Sequence, residues 1–317
     1  MKKVLVTGAA GTIGLQTIRF LLSEGKYEIT ALELKNIRVY RRLKKFRKRI
    51  NIVYGDVNDS ALVDALVKDH DVVIHLAGVL PPFANIKDDM TRLNDYEGTV
   101  NIVEAIKNYN PRCYLLYPSS TSVYGSVDEI DNITVKTKGT INDYDFYSKY
   151  KLRSEQYIKH NLKNYSIFRL SYVLCDLKNE TIIYNVPKDL NIETISSEDA
   201  GYAFVAALDF KNDLNRKIFN LSGGSKYRIN YRDYLIRILK DYGLSLSFLS
   251  AYFFSEKNYY GGYYVDGDKL NDILNFRTKD INLYYEFIDD YRFKLSRFIP
   301  RLLALPFVWI LSINKKK

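Results

Sequence analysis

The sequence predicts an α/β protein built on a doubly wound parallel sheet, with a smaller C-terminal lobe. Three observations carry this. The apolar run Val4-Leu5-Val6 breaks into Gly8, Gly11 and Gly14 and then enters a helical pattern. Strand and helix signals alternate through the first two-thirds of the chain, as βαβ units require. Acids and small residues recur where strands end, at Glu33, Gly55-Asp56-Val57 and Leu76-Ala77-Gly78, and doubly wound sheets bind ligands outside the carboxyl ends of their strands.

A chain of 317 residues that is 47% hydrophobic can bury a full core. A dinucleotide-binding unit is expected over 1–170. A mixed lobe over 171–317 is interleaved with late elements of the first unit at about 197–222. Two cysteines, Cys113 and Cys175, give no disulfide framework, and no apolar signal segment opens the chain, so a cytoplasmic protein is expected. The net charge of +10 is concentrated, with nine basic residues and no acid from Lys35 to Arg49. Such a run suits a nucleic acid or an anionic membrane. It equally suits the solvated face of a second helix that turns Ile37, Tyr40, Leu43 and Phe46 inward. The second reading needs no partner and is preferred, so no nucleic acid is expected.

The first strand feeds a dinucleotide site. Gly8 lets the chain turn sharply off the strand, Gly11 lets backbone amides approach a pyrophosphate, and Gly14 lets the helix pack close to the sheet. The first turn of that helix, with Thr12 and Ile13, presents its positive end to the phosphates. The second strand, Glu28 to Leu32, ends in Glu33, about 20 residues on, where an acid accepts the adenosine ribose hydroxyls. A carboxylate there repels a 2′-phosphate, so NAD is expected over NADP, although Arg38, Arg41 and Arg42 stand nearby.

The spacing Thr7-Gly8-x-x-Gly11-x-x-Gly14 resembles the extended short-chain dehydrogenase/reductases, the NAD-dependent epimerase/dehydratase group, whose sheet is of the Rossmann type. Later motifs extend the resemblance to about Leu239. Asp56 resembles the family acid that binds the adenine amino group, with Val57 beside it; alternatively Asp56 caps the helix starting near Ser60. Leu76-Ala77-Gly78 resembles the turn under the adenosine ribose. A helix from about Met90 to Asn108 carries Asn94 and Gly98-Thr99, resembling the family's Asn-x-x-Gly-Thr pattern. A fifth strand, Cys113 to Tyr117, runs into Ser119-Ser120-x-x-Val123-Tyr124-Gly125, resembling the family's Ser-Ser-x-x-Val-Tyr-Gly.

The next helix sets the register of the family's Tyr-x-x-x-Lys. Asp145 stands four residues before Lys149, whereas Tyr147 stands four before Lys151, so only Tyr147 and Lys151 fit, with Glu155 one turn on. The sixth strand, Ser166 to Leu170, contains Arg169. Here the sequence departs from the sugar epimerases, because Tyr172 stands where they place a phosphate-holding asparagine, and the stretch Ser171 to Ser196 is short. Ser197 to Ala203 and Ile218 to Gly224 resemble later family elements. The Tyr-rich residues 252 to 264 suit either an aromatic wall for a sugar or base, or the core of the lobe or a subunit contact. The tail from Phe298 to Ile313 is too short and interrupted for a spanning helix. An interfacial segment or oligomer contact is left open, and membrane contact is not expected.

The resemblance assigns Tyr147 as general base for a sugar hydroxyl, Lys151 as holder of the cofactor ribose and tuner of the phenol, and Ser120 as hydrogen-bond partner of the reacting oxygen. A lysine one turn away favours the phenolate of a group whose reference pKa is about 10. Three histidines show no metal-ligand spacing, so no metal is expected. The family's 4,6-dehydratases carry an Asp-Glu pair where Thr121 and Ser122 stand here, which disfavours dehydration. Hydride transfer at a carbon of a nucleotide-linked sugar, expected to be C4, remains as net oxidation or the first half of a 4-epimerisation. The overall length and short pocket resemble bacterial capsule enzymes that oxidise C4 of a GDP-linked heptose. A cofactor-sensing NAD(P) regulator is the alternative class, and the retained triad speaks against it. The resemblance also implies a homodimer or homotetramer built from the helices at about Met90 to Asn108 and Asp145 to Asn161.

Overall fold

The computed structural model describes residues 1–81, 83–86, 88–127, 129, 131–174, 187–241 and 261–286. The chain runs β1 (Lys2–Thr7), α1 (Thr12–Glu24), β2 (Tyr27–Glu33), α2 (Ile37–Leu43), β3 (Asn51–Tyr54), α3 (Ser60–Lys68) and β4 (Val72–His75). Short helical turns and a π-helical segment, Arg92–Glu97, lead into α4 (Gly98–Tyr109) and β5 (Tyr114–Ser120). Then come α5 (Phe146–Asn161), β6 (Tyr165–Leu170), β7 (Tyr172–Leu174), β8 (Asn191–Ser196), α6 (Ser197–Ala206), β9 (Lys217–Leu221), β10 (Arg228–Asn230), α7 (Tyr231–Asp241) and α8 (Asp268–Leu274).

Seven strands form one sheet in the order β3-β2-β1-β4-β5-β6-β9, every pairing parallel. The chain winds from β1 out to β3, then returns to β4 on the other side of β1. The order therefore reverses between β1 and β4, and both strands end there beside the glycine loop. Alternation along β1 gives Val4 and Val6 to one core layer, with Ile18, Phe168 and Phe204, and Leu5 to the other, with Val63, Val73 and Ile106. Burial on both faces is why these strands read as continuous apolar runs.

A second, three-stranded sheet has the order β10-β8-β7. The chain leaves the main sheet after Leu170 and comes back to it at β9, which pairs with β6. Between them α6 lies against α1, and Gly201 makes the approach possible: a Cβ there would come within 2.5 Å of the Gln16 Cβ.

Two elements differ from expectation. In α2 and the turns after it the buried residues are Val39, Leu43, Phe46 and Ile50, whereas Ile37 is 64% and Tyr40 43% exposed. The inward stripe begins at Val39 because α2 starts only at Ile37, capped by Asn36, whose side chain accepts from the Val39 amide. The helix expected from Met90 to Asn108 is broken: the Gly98 amide bonds the Leu93 carbonyl five residues back, so one extra residue enters the turn.

Candidate active site

The glycine loop is shaped by contact as well as by torsion. Gly8 has φ 66°, and a Cβ there would lie 2.6 Å from the Leu76 carbonyl carbon and the Ala77 nitrogen. A Cβ on Gly14 would strike the Gly8 carbonyl. The Gly11 amide bonds the Gly8 carbonyl at 2.9 Å, and Gly11 stands at the N-cap of α1 with no side-chain capping bond and no acid in the first turn. The first amides of α1, those of Thr12 and Ile13 among them, are therefore open to an anion. Glu33 closes the other side, its Oε1 accepting from the Ala10 amide at 2.6 Å. Burial raises its carboxyl above the ordinary value, against the amides of Ala10 and Leu34 and the charge of Arg42.

Asp56 does not cap α3. Asp59 does so, accepting from the Leu62 amide, while the Asp56 Oδ1 accepts from the amide and side chain of Asn58 at 2.9 Å. Val57 lies against α4, where a Cβ on Gly98 would come within 2.7 Å of its Cγ2. After β4 the Leu76 amide bonds the Thr7 carbonyl and the Ala77 amide bonds the Thr7 hydroxyl, both at 3.1 Å. These bonds fix Leu76-Ala77-Gly78 directly beside the glycine loop.

Tyr147 and Lys151 lie on one face of α5, both buried. The Lys151 Nζ stands 5.7 Å from the centre of the Tyr147 ring and 5.0 Å from that of Tyr117, and donates to the Pro118 carbonyl at 3.1 Å. Ser120, at the end of β5, caps the following turn by accepting from the Ser122 amide at 3.1 Å, and it is among the neighbours that favour the Tyr147 phenolate. Lys149 points elsewhere, to Asp143 at 3.2 Å. The three expected residues thus converge. One electrostatic expectation is reversed: burial pushes the Tyr147 phenol up to about 12 against the opposing charge of Lys151. Desolvation of the phenolate outweighs the single ammonium.

Asp95 is the residue that sequence reasoning missed. Its Oδ1 lies 3.3 Å from the Lys151 Nζ and its Oδ2 accepts from the Val79 amide at 2.9 Å. Asn94, the residue expected here, bonds back to the Met90 carbonyl instead. Counting three residues back from Gly98, as Asn-x-x-Gly-Thr demands, reaches Asp95, so the spacing held the signal. One turn beyond Lys151, Glu155 receives Arg169 through both oxygens, at 2.9 and 2.6 Å, and the Ser119 hydroxyl at 2.5 Å. Arg169 lies over the Tyr124 ring, whose hydroxyl reaches Asn220 at 2.5 Å.

Of the Tyr-rich stretch, Tyr264 stacks on Tyr124 with ring centres 6.2 Å apart, and the Arg228 guanidinium covers Tyr263. Residues 252–260, Cys175 and the tail from 298 to 313 lie outside the described residues. Among the described residues, no group of three His, Cys, Asp or Glu side chains could hold a metal ion, and no helix is long and apolar enough to cross a membrane.

A cradle that a Cβ would fill at Gly8 and Gly14, an open helix N-terminus and the Glu33 carboxylate held against the loop fit a dinucleotide. The family described as NAD dependent epimerase/dehydratase matches residues 4–179. Among curated proteins, the chain is 26% identical to a CDP-paratose 2-epimerase of Salmonella typhi, over 71% of this chain and 69% of that one. It is 31% identical to a dTDP-glucose 4,6-dehydratase of Mycolicibacterium smegmatis, over 52% of this chain, and spans half of that relative's length. The fold matches a dTDP-glucose 4,6-dehydratase from Streptomyces venezuelae with NAD bound, at TM-score 0.75 and 19% identity, over 94% of this chain and 99% of that one. It also matches a UDP-glucuronic acid 4-epimerase from Bacillus cereus, at TM-score 0.73 and 21% identity, over 92% and 99%.

Proposed function

The chain belongs to the NAD-dependent epimerase/dehydratase family, and from that premise we propose that it oxidises a sugar hydroxyl, that on C4, of a nucleotide-linked sugar. The observation that carries this reading is the convergence of Ser120, Tyr147 and Lys151 beside a loop fitted to a dinucleotide. NAD supplies the hydride acceptor when bound. Gly8, Gly11, Thr12, Ile13 and Gly14 hold its pyrophosphate, Glu33 the adenosine ribose, and Asp56, Val57 and Leu76 to Gly78 the adenosine end. Tyr147 takes the proton of the sugar hydroxyl as a general base. Ser120 holds the same oxygen, and Lys151 holds the nicotinamide ribose while favouring the phenolate.

Net oxidation and 4-epimerisation share the 4-keto product of this step, and the UDP-glucuronic acid 4-epimerase that shares the fold keeps the second in play. Dehydration is disfavoured, because the two residues after Ser120 are Thr121 and Ser122 and neither brings a carboxylate. A GDP-linked heptose destined for a surface polysaccharide is the substrate that the resemblance in length and pocket suggests. The proposal includes a homo-oligomer, since α4 and α5 are the helices that the family pairs.

The test is spectroscopic. Purified protein is mixed with NAD and a panel of GDP-, UDP-, CDP- and dTDP-linked sugars, following reduced-nicotinamide absorbance and the product by NMR. Oxidation gives a lasting absorbance and a ketosugar, and epimerisation gives an inverted carbon with no net absorbance. If NAD binds and no nucleotide sugar is altered, the enzyme reading fails in favour of the regulator.

A further inference from the structure

Asp95 has no part in the reaction just described, yet three elements hold it in place. It sits inside the π-helical segment and is 1% exposed. The Asp95 carbonyl accepts the Ser154 hydroxyl of α5 at 2.7 Å and the Thr99 hydroxyl of α4 at 3.0 Å. Its carboxylate reaches the turn after β4 through the Val79 amide. The second oxygen, Oδ1, lies within ion-pair distance of Lys151 but makes no hydrogen bond. Gly78 leaves room for it, since a Cβ there would approach Oδ1 to 2.5 Å.

We propose that Asp95 is a positioning residue of the active site: its carboxylate clamps the Lys151 ammonium to the turn after β4 and subtracts from the positive field that Lys151 exerts on Tyr147. The proposal rests on Tyr147 being the base. The other titratable groups facing Lys151 do not duplicate the effect. His75, from β4, is held neutral, its pKa pushed down to about 3 by burial and then by Lys151. Tyr117, from β5, is kept a neutral phenol because burial raises it. On α5 itself Glu155 is paired with Arg169. Asp95 is thus the anion, among the described residues, that is in contact with Lys151. Burial pushes the Asp95 carboxyl up and Lys151 opposes that push, so the two charges depend on each other.

A neighbouring carboxylate makes a phenolate harder to form. Removing that charge while keeping size and the bond to Val79 should therefore ease ionisation of Tyr147. In Asp95→Asn, the acid limb of the kcat pH profile should move to lower pH by about one unit, the lower end of the effect of a like charge at close range. NAD affinity, read by fluorescence titration, should change little. Asp95→Ala, which also frees Val79 and Lys151, should weaken NAD binding about tenfold or more, in line with the loss of a supporting partner. If Asp95→Asn folds poorly, Asp95→Ser is uncharged, still hydrogen-bonding, and goes through the same profile. An acid limb that coincides with wild type in the folded, uncharged variant overturns the proposal. Tyr147→Phe separates the two failures: full activity there sinks the general-base reading, whereas an inactive Tyr147→Phe with an unmoved Asp95→Asn limb sinks only the role of Asp95.

Discussion

Helix α5 carries two buried ion pairs one turn apart, and they are built differently. Glu155 and Arg169 satisfy each other: both carboxylate oxygens take guanidinium donors, Ser119 adds a third, and Arg169 also donates to the Val135 carbonyl at 3.1 Å. Lys151 and Asp95 meet at 3.3 Å without a hydrogen bond, and one Asp95 oxygen has no donor. Burying a charge is costly unless pairing and hydrogen bonding offset the lost water. The first pair is closed and braces β5, α5 and β6. The second keeps unused bonding capacity where the glycine loop and the turn after β4 converge, as expected of groups awaiting a ligand. On the proposed mechanism, equal burial thus conceals a structural pair and a working one.

Substitutions on the working pair should remove chemistry and spare the fold. Tyr147→Phe keeps the ring that packs the site and should lower kcat by about 10²- to 10⁴-fold, the usual worth of a general acid–base group. Lys151→Met should lose activity and weaken NAD binding, whereas Lys149→Met, on a half-buried lysine bonded to Asp143, should stay within about twofold of wild type, as changes away from the core do. Single-turnover absorbance and calorimetric NAD titration read both effects. A Lys149 variant as inactive as the Lys151 one would mean that the helix register is wrong.

The structural pair should behave in the opposite way. Arg169→Met leaves Glu155 charged and buried, and removing one partner of such a pair costs about 3–5 kcal/mol. Urea unfolding should show that loss. The double variant Arg169→Met with Glu155→Leu should regain most of it, because no unpaired charge is left. If the single variant is as stable as wild type, the closed pair does not brace the fold, and the contrast between the pairs disappears.

This contrast was half legible in the sequence. The parallel sheet, the glycine loop, Ser120 and the Tyr147/Lys151 register follow from strand-end motifs and four-residue spacing, which local geometry preserves. The position of Asp95 was legible from the spacing to Gly98, but its burial against Lys151 was not, because the π-helical segment inserts a residue and periodicity read from Met90 to Asn108 runs out of phase. In α2 the stripe Ile37, Tyr40, Leu43, Phe46 and the stripe Val39, Leu43, Phe46, Ile50 both have helical spacing. The Asn36 cap and the packing of Ile50 beneath β2 and β3 select the second, and neither is visible to a spacing count. The height of the Tyr147 pKa was equally out of reach, because burial is a property of the assembled site.

The smallest expected effect concerns His75, whose neutral state helps keep Lys151 the dominant cation of the working pair. Its ring bridges the hydroxyls of Thr7 at 2.8 Å and Thr99 at 3.1 Å. Thr99 already donates to the Asp95 carbonyl, so it accepts from the His75 Nε2–H. Thr7 then donates to Nδ1, because its oxygen accepts from the Ala77 amide. Burial penalises a charged ring, and a second proton would also bring a positive charge close to Lys151, which is why the folded pKa falls to about 3. In the unfolded chain His75 titrates near 6.5. Above that pH neither state binds the proton and the residue contributes no pH dependence. As pH falls from about 6.5 towards 3 the unfolded state takes the proton and the folded state does not, so stability declines. By pH 5 the loss amounts to about 2 kcal/mol, at roughly 1.4 kcal/mol per unit. His75→Gln should be less stable at neutral pH, since it loses the bridge, but should lose about 2 kcal/mol less than wild type between pH 7.5 and pH 5 in urea unfolding. Parallel pH dependences in the two proteins would mean that His75 accepts its proton in the folded state, and that Lys151 shares its site with a second cation.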